Sequence, residues 1–145
     1  MVGTNHEHAP IETRERLWCH PEILPSRLKS LVHDGTREAV ILSTCNRTEI
    51  YILTTTADSK IVTEIQTALS RWSGIEFTEL ERSLYVLTGE DAVRHLVSVA
   101  TGLDSLAVGE QQVQDQVTSL ASRKQSRNER TLPFRTVQTC GQSSE

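Results

Sequence analysis

The stretch Ala39-Val40-Ile41-Leu42-Ser43-Thr44-Cys45-Asn46-Arg47-Thr48-Glu49-Ile50-Tyr51-Ile52-Leu53 decides the reading of the fold. Residues 39–42 form a β-rich apolar run, residues 43–48 are polar, and residues 49–53 return to β-branched and aromatic types. Strand, short polar turn, strand is the pattern of a β-hairpin. Helical periodicity lies on both sides. Upstream, residues 21–33 set Leu24, Leu28, Leu31 and Val32 on one face, with Gly35 as the stop. Downstream, Asp58 reads as the N-cap of a helix carrying Ile61, Ile65, Leu69 and Trp72 and ending at Gly74. Residues 1–4 read as the end of a short strand and residues 83–87 as another. Thr88 and Asp91 read as a capping box ahead of a helix over 92–101, and a further helix starts near Gly109 and includes Val113 and Val117. The order β-α-β-β-α-β followed by helices predicts an α+β sandwich of ferredoxin-like type.

Composition bounds what such a domain does. A chain of 145 residues suits one domain, which buries roughly 70% of its unfolded surface. Hydrophobic residues make up 37% and charged residues 23%, too apolar a balance for a disordered acidic chain. No run approaches the ~18 apolar residues of a membrane span, and residues 1–8 have neither the basic nor the apolar region of a secretory signal. No transit peptide is visible either, so the expected location is cytoplasmic, with a mature plastid form left open. Three cysteines, Cys19, Cys45 and Cys140, form no C-x-x-C pair, which speaks against a disulfide framework or a Cys-rich zinc site.

The formal charge of −4 hides a split. Residues 1–117 carry 10 basic against 17 acidic side chains (net −7), and residues 118–145 carry 5 against 2 (net +3). The body therefore lacks the broad basic face of a nucleic-acid binder, and any such contact needs a local patch or another part of a longer protein. Residues 118–145 are rich in Ser, Arg, Gln and Thr, sparse in apolar positions and interrupted by Pro133. They read as an atypical helical or weakly ordered tail.

Four groups of residues invite a chemical reading. Cys45 lies in the hairpin turn, where a side chain reaches solvent, and the Arg47 charge two residues on favours the thiolate, which is the nucleophilic form. Ser43, Thr44, Asn46 and Thr48 around it can hold a polar substrate or donate to an oxyanion. The competing reading is a small buried thiol. His95 falls at the edge of the apolar face of helix 92–101, placed to accept a thiol or leaving-group proton, or simply packed there. Ser105, Glu110, Gln111, Gln112 and Gln116 form a set able to hydrogen-bond an amino group or a ribose, or a solvated helix start. His6 and His8, with Cys19 and His20 downstream, have a possible strand spacing for a metal but no second close pair, so no metal site is expected.

Taken in series, these blocks are far more specific than any one of them. Gly3-Thr4-Asn5-His6 with Ala9-Pro10 and Arg14-Glu15-Arg16-Leu17 resembles the opening of glutamyl-tRNA reductases. The stretch from Ala39 to Tyr51 resembles the segment around that family's catalytic cysteine. Ala92-Val93-Arg94-His95-Leu96 through Gly102-Leu103-Asp104-Ser105, then Val108-Gly109-Glu110-Gln111-Gln112, is similar to a third block in order and spacing.

The resemblance covers roughly residues 2–117 and implies an N-terminal catalytic domain over 1–117 followed by the tail 118–145. It implies that Cys45 attacks the ester joining glutamate to its tRNA, leaving a thioester. NADPH bound on a separate domain then reduces the thioester to glutamate-1-semialdehyde for tetrapyrrole (porphyrin) synthesis. It further implies His95 as a histidine important for activity. Thr44, Asn46, Arg47, Ser105, Glu110, Gln111, Gln112 and Gln116 are then substrate contacts, Arg47 suiting a carboxylate by its fork geometry. As partners it implies glutamyl-tRNA, a homodimer built on a dimerisation helix, and glutamate-1-semialdehyde aminomutase.

No G-x-G-x-x-G follows a strand here, so the NADPH-binding and dimerisation domains are expected to be absent from this chain. Two functions follow. One is half an enzyme that forms the thioester but cannot reduce it, acting at best as a slow esterase. The other is a binding or regulatory module for glutamyl-tRNA without turnover. An unrelated thiol hydrolase is a weaker third, since it leaves the Glu110–Gln116 block unexplained.

Overall fold

The computed structural model describes residues 1–32, 35–55, 58–101 and 134–136. In chain order these form β1 (Val2–Asn5), α1 (Ile11–Leu17), α2 (Leu24–Ser30), β2 (Thr36–Ser43), β3 (Arg47–Thr54) and α3 (Asp58–Ser73). There follow α4 (Phe77–Leu80), a 3₁₀ turn Glu81–Ser83, β4 (Tyr85–Val86), α5 (Gly89–Ala100) and β5 (Phe134–Thr136). The strands line up in the order β4-β1-β3-β2-β5. The first four pair antiparallel throughout, which is the split β-α-β arrangement of the ferredoxin-like α+β class. β5 adds to β2 in parallel, a strand within the stretch read as helix and tail.

The hairpin forms as the sequence indicates, with Ser43 opposite Thr48 and Ile41 opposite Ile50. Because side chains alternate along a strand, β3 has two distinct faces. Ile50 and Ile52 point into the main core, where Leu17, Leu24, Leu28 and Leu31 meet Ile61, Ile65 and Leu69 of α3. Arg47, Glu49 and Tyr51 occupy the other face, which α5 covers through Leu96 and Val99 against Val40 and Leu42. The sheet is thus covered by helices on both sides, and a row of polar side chains on β3 is closed in beneath α5.

Several elements depart from the sequence reading. The helix read over 21–33 is limited to seven residues, with Pro25 at its start. α1 carries no regular apolar stripe and buries only Leu17, so periodicity gives no sign of it. One of its basic residues ties it to the body of the fold. Arg16 donates through Nε to the Ser73 carbonyl (3.1 Å) and through a terminal nitrogen to that of Gly74 (2.8 Å). Those carbonyls lie at the end of α3, where a helix leaves acceptors unsatisfied, and Gly74 makes the turn there with φ +66°. Thr88 is the N-cap of α5 but makes no side-chain capping bond, so the capping box expected with Asp91 is not formed. The helix expected from Gly109 lies outside the described residues. No helix among the described residues is long and apolar enough to cross a membrane.

Candidate active site

The turn between β2 and β3 consists of Thr44, Cys45 and Asn46. The Thr44 N–H donates to the Arg47 carbonyl at 2.8 Å. The Thr44 hydroxyl oxygen accepts the N–H groups of Asn46 and Arg47, each at 3.2 Å. These bonds fold Thr44 inward and leave Cys45 exposed at the tip. Arg14 of α1 leans over the same turn, donating to the Cys45 carbonyl (3.4 Å) and to Asn46 Oδ1 (3.3 Å). Cys19 contrasts with Cys45: it is buried, and burial pushes its thiol up although Arg27 and Ser43 oppose that shift. An exposed thiol beside an amide and a guanidinium can attack an electrophile; an enclosed one cannot.

The hydroxyls expected to surround a substrate mostly serve the chain itself. Ser43 Oγ accepts the Cys19 N–H at 2.9 Å and lies 3.1 Å from Thr48 Oγ1, and both side chains are buried. Sequence alone hides this, because the backbone partners, Leu17 and Cys19, lie at and just beyond the end of α1.

Behind the turn stands a network that the sequence reading does not identify. Glu49 is fully buried; its Oε1 accepts from Arg47 (2.9 Å) and the Tyr85 hydroxyl (2.6 Å) and lies 3.0 Å from His95 Nε2. Its Oε2 accepts from the Tyr51 hydroxyl at 2.7 Å. Burial drives the carboxyl up, but the His95 bond, the Arg47 charge and the two tyrosine bonds together outweigh it, holding Glu49 below its ordinary value. Tyr51 is pushed the opposite way, by burial first and then by the Glu49 charge.

Arg47 therefore sits inside, 1% exposed, with its guanidinium on Glu49. The sequence reading places that charge at Cys45 and on a substrate carboxylate. In this structure the side chain beside the turn is Arg14, and Arg47 supports the network behind it.

His95 is mostly enclosed, with 17% of its side chain exposed. It bonds Glu49, and its ring meets Tyr85 edge-on at 5.5 Å. It makes no hydrogen bond to the Cys45 thiol. The His8 ring lies tilted against Tyr85 at 4.6 Å, with Nδ1 2.8 Å from Asn5 Oδ1. Among the described residues no three metal-binding side chains stand together. Ser105, Glu110, Gln111, Gln112 and Gln116 lie outside the described residues. A separate open groove of about 480 Å³ lies between α3 and α5, lined by Leu53, Ile61, Val62, Val93 and Leu96 among others.

A sequence model of the family "Glutamyl-tRNAGlu reductase, N-terminal domain" matches residues 2–140. The chain is 44% identical over 118 residues to a glutamyl-tRNA reductase of Cyanothece sp., covering 81% of this chain and 27% of that protein. It is 43% identical over 119 residues to one of Thermosynechococcus vestitus, covering 81% of this chain and 28% of the relative. The solved glutamyl-tRNA reductase from Methanopyrus kandleri superposes with a TM-score of 0.58 at 29% identity, over 84% of this chain and 27% of that one. The chain thus spans about a quarter of the length of the curated relatives it matches.

Proposed function

Because the chain belongs to the glutamyl-tRNA reductase family, matching its N-terminal domain, we propose that Cys45 accepts the glutamyl group of glutamyl-tRNA as a thioester. The thiolate sulfur attacks the carbonyl carbon of the ester, the bond from that carbon to the tRNA oxygen breaks, and the departing oxygen takes a proton. His95, held on Glu49, is the acid/base group for that proton, moving relative to the turn when substrate binds. Thr44 and Asn46 shape the turn that presents the sulfur. Ser105, Glu110, Gln111, Gln112 and Gln116 complete the substrate contacts, and Arg47 acts on substrate through the network it supports. The observation that carries this reading is the exposed Cys45 at the tip of a tightly bonded turn, with a buried carboxylate–imidazole pair behind it.

Reduction to glutamate-1-semialdehyde for tetrapyrrole synthesis is the fate of the thioester in the whole protein, with NADPH as the hydride source. The described residues do not fit that cofactor. Four of the five strands form an antiparallel sheet, and no G-x-G-x-x-G loop leads from a strand into a helix. No step through it is assigned to them. Acting alone, the thioester hydrolyses slowly to glutamate. A homodimer and a glutamate-1-semialdehyde aminomutase partner belong to the same whole-protein reading, in a cytoplasmic setting.

The test is intact-mass analysis after mixing the protein with charged glutamyl-tRNA, beside Cys45→Ser. One glutamyl adduct on the Cys45 protein only is the expected result. No adduct, with the charged tRNA bound but not hydrolysed, would overturn the catalytic reading in favour of a binding module.

A further inference from the structure

Tyr85, Gly3 and Glu49 are direct neighbours across three strands, Gly3 pairing with Tyr85 on β4 and with Glu49 on β3. Directly paired residues project to the same face, and two strand spacings separate the outer pair by roughly 10 Å of backbone. Yet the Tyr85 hydroxyl and Glu49 Oε1 are 2.6 Å apart. Their side chains meet over β1, above the residue that has none. A Cβ placed on Gly3 would fall 2.7 Å from Glu49 Cγ, with the Thr48 carbonyl oxygen at 3.1 Å and Glu49 Cα at 3.2 Å. No conformational demand explains glycine here, since its φ is not positive. The requirement is space.

The bonds made in that space fix a proton. Glu49 accepts from an arginine and two tyrosine hydroxyls, and its Oε1 lies 3.0 Å from His95 Nε2. The ion pair with Arg47 at 2.9 Å holds Glu49 as the carboxylate, and a carboxylate can only accept. Nε2 must then carry its hydrogen, and in the neutral ring Nδ1 is left bare as the acceptor.

We propose that Glu49 is a positioning residue for His95, selecting the Nε2–H tautomer, and that Gly3 is the opening in β1 that lets Glu49, Tyr85 and His95 assemble. Neither residue contacts substrate. This rests on the proposed acyl transfer only for its catalytic consequence: the nitrogen that exchanges a proton with the reacting groups is Nδ1.

The experiment records long-range ¹H–¹⁵N correlations of the histidine rings in the ¹⁵N-labelled chain, with His95→Gln identifying the signal. The same proteins are assayed for glutamyl transfer and for alkylation by iodoacetamide. The wild-type ring is expected as Nε2–H. Gly3→Ala and Glu49→Gln are expected to lose that form and to lower the glutamyl-transfer kcat by about 10²-fold, with KM little changed. Alkylation of Cys45 should stay at the wild-type rate. Should Glu49→Gln not fold, Gly3→Ala and Tyr85→Phe carry the comparison, because both keep the carboxylate. A wild-type ring protonated at Nδ1, or a folded Gly3→Ala protein with the wild-type ring pattern, overturns the proposal. Absence of glutamyl transfer in the wild type removes the acyl-transfer reading and leaves the ring measurement to decide this one.

Discussion

Replacing Arg47 by methionine tests whether its pair with Glu49 is a buried ion pair in energy as well as in position. At 2.9 Å the gross attraction is about 6 kcal/mol for an effective dielectric near 20. Withdrawing both groups from water offsets most of that. Removing one partner, however, strands the other's charge, which costs about 3–5 kcal/mol at buried sites. Glu49 keeps three donors after Arg47→Met, namely Tyr51, Tyr85 and His95, so the loss should lie near the lower end, about 3 kcal/mol. Glu49→Gln strands Arg47 instead, and the double variant should cost less than the summed single losses by about 2 kcal/mol. Urea unfolding followed by the fluorescence of Trp18 and Trp72 at neutral pH measures all four corners of the cycle, provided the slopes agree. Acidification gives a second check. Without Arg47, burial of Glu49 is less opposed, so the carboxyl takes up a proton more readily and the Arg47→Met deficit should shrink as pH falls. Single losses below about 1 kcal/mol that simply add would show a pair screened like one on the surface and would refute a buried ion pair.

The remaining predictions follow from burial and from linkage. Because the folded Glu49 carboxyl lies below its ordinary value of 4.5, its contribution to stability is complete above that value and is lost as pH falls through the lower folded one. Urea midpoints measured from neutral into acid conditions should therefore drop more steeply for the wild type than for Glu49→Gln. Ile65→Ala, at a 1% exposed core position, should cost about 2–5 kcal/mol, whereas Val93→Ala, 60% exposed, should stay within about 0.5 kcal/mol by the same unfolding assay. In a Cys140→Ser background, iodoacetamide followed by peptide mapping should label Cys45 well before Cys19; equal labelling would contradict the enclosed setting of Cys19.

What is legible in the sequence depends on how local its cause is. The hairpin around Cys45 and the long α3 can be read because alternation and a 3.6-residue period are written within a dozen or so residues. The exposure of Cys45 can be read because the turn is short. α1 cannot, since its seven residues bury only Leu17 and it is held by Arg16 reaching the end of α3, 57 residues away. Nearness in sequence assigns Arg47 to the thiol, yet strand alternation gives Arg47 the same face as Glu49, and that face is closed by α5. A signal for Glu49 does exist. Arg47, Glu49 and Tyr51 share one face of a strand whose other face carries Ile50 and Ile52, and two charges with a tyrosine in line suggest mutual pairing. Nothing local, however, shows that Tyr85 and His95 come down on that carboxylate from 36 and 46 positions away.

The strand order β4-β1-β3-β2 also sets a timetable for the growing chain. β1 is synthesised before its partners and ends in the interior of the sheet, between two strands that follow it. The hairpin and α3 depend on near neighbours and can form early, leaving the β1-facing edge of β3 open until β1 docks. The other side of β1 stays unpaired until β4 has been made, as the bond from the Thr4 hydroxyl to the Ser83 carbonyl shows across 79 positions. Contacts of such separation slow folding and prolong the exposure of strand edges. Tyr85 arrives with β4 and His95 with the helix after it, so Glu49 gains its last two donors only when the sheet has closed. A ribosome-bound chain stopped short of Tyr85 would hold the hairpin and its thiol, but not the carboxylate–imidazole pair behind them.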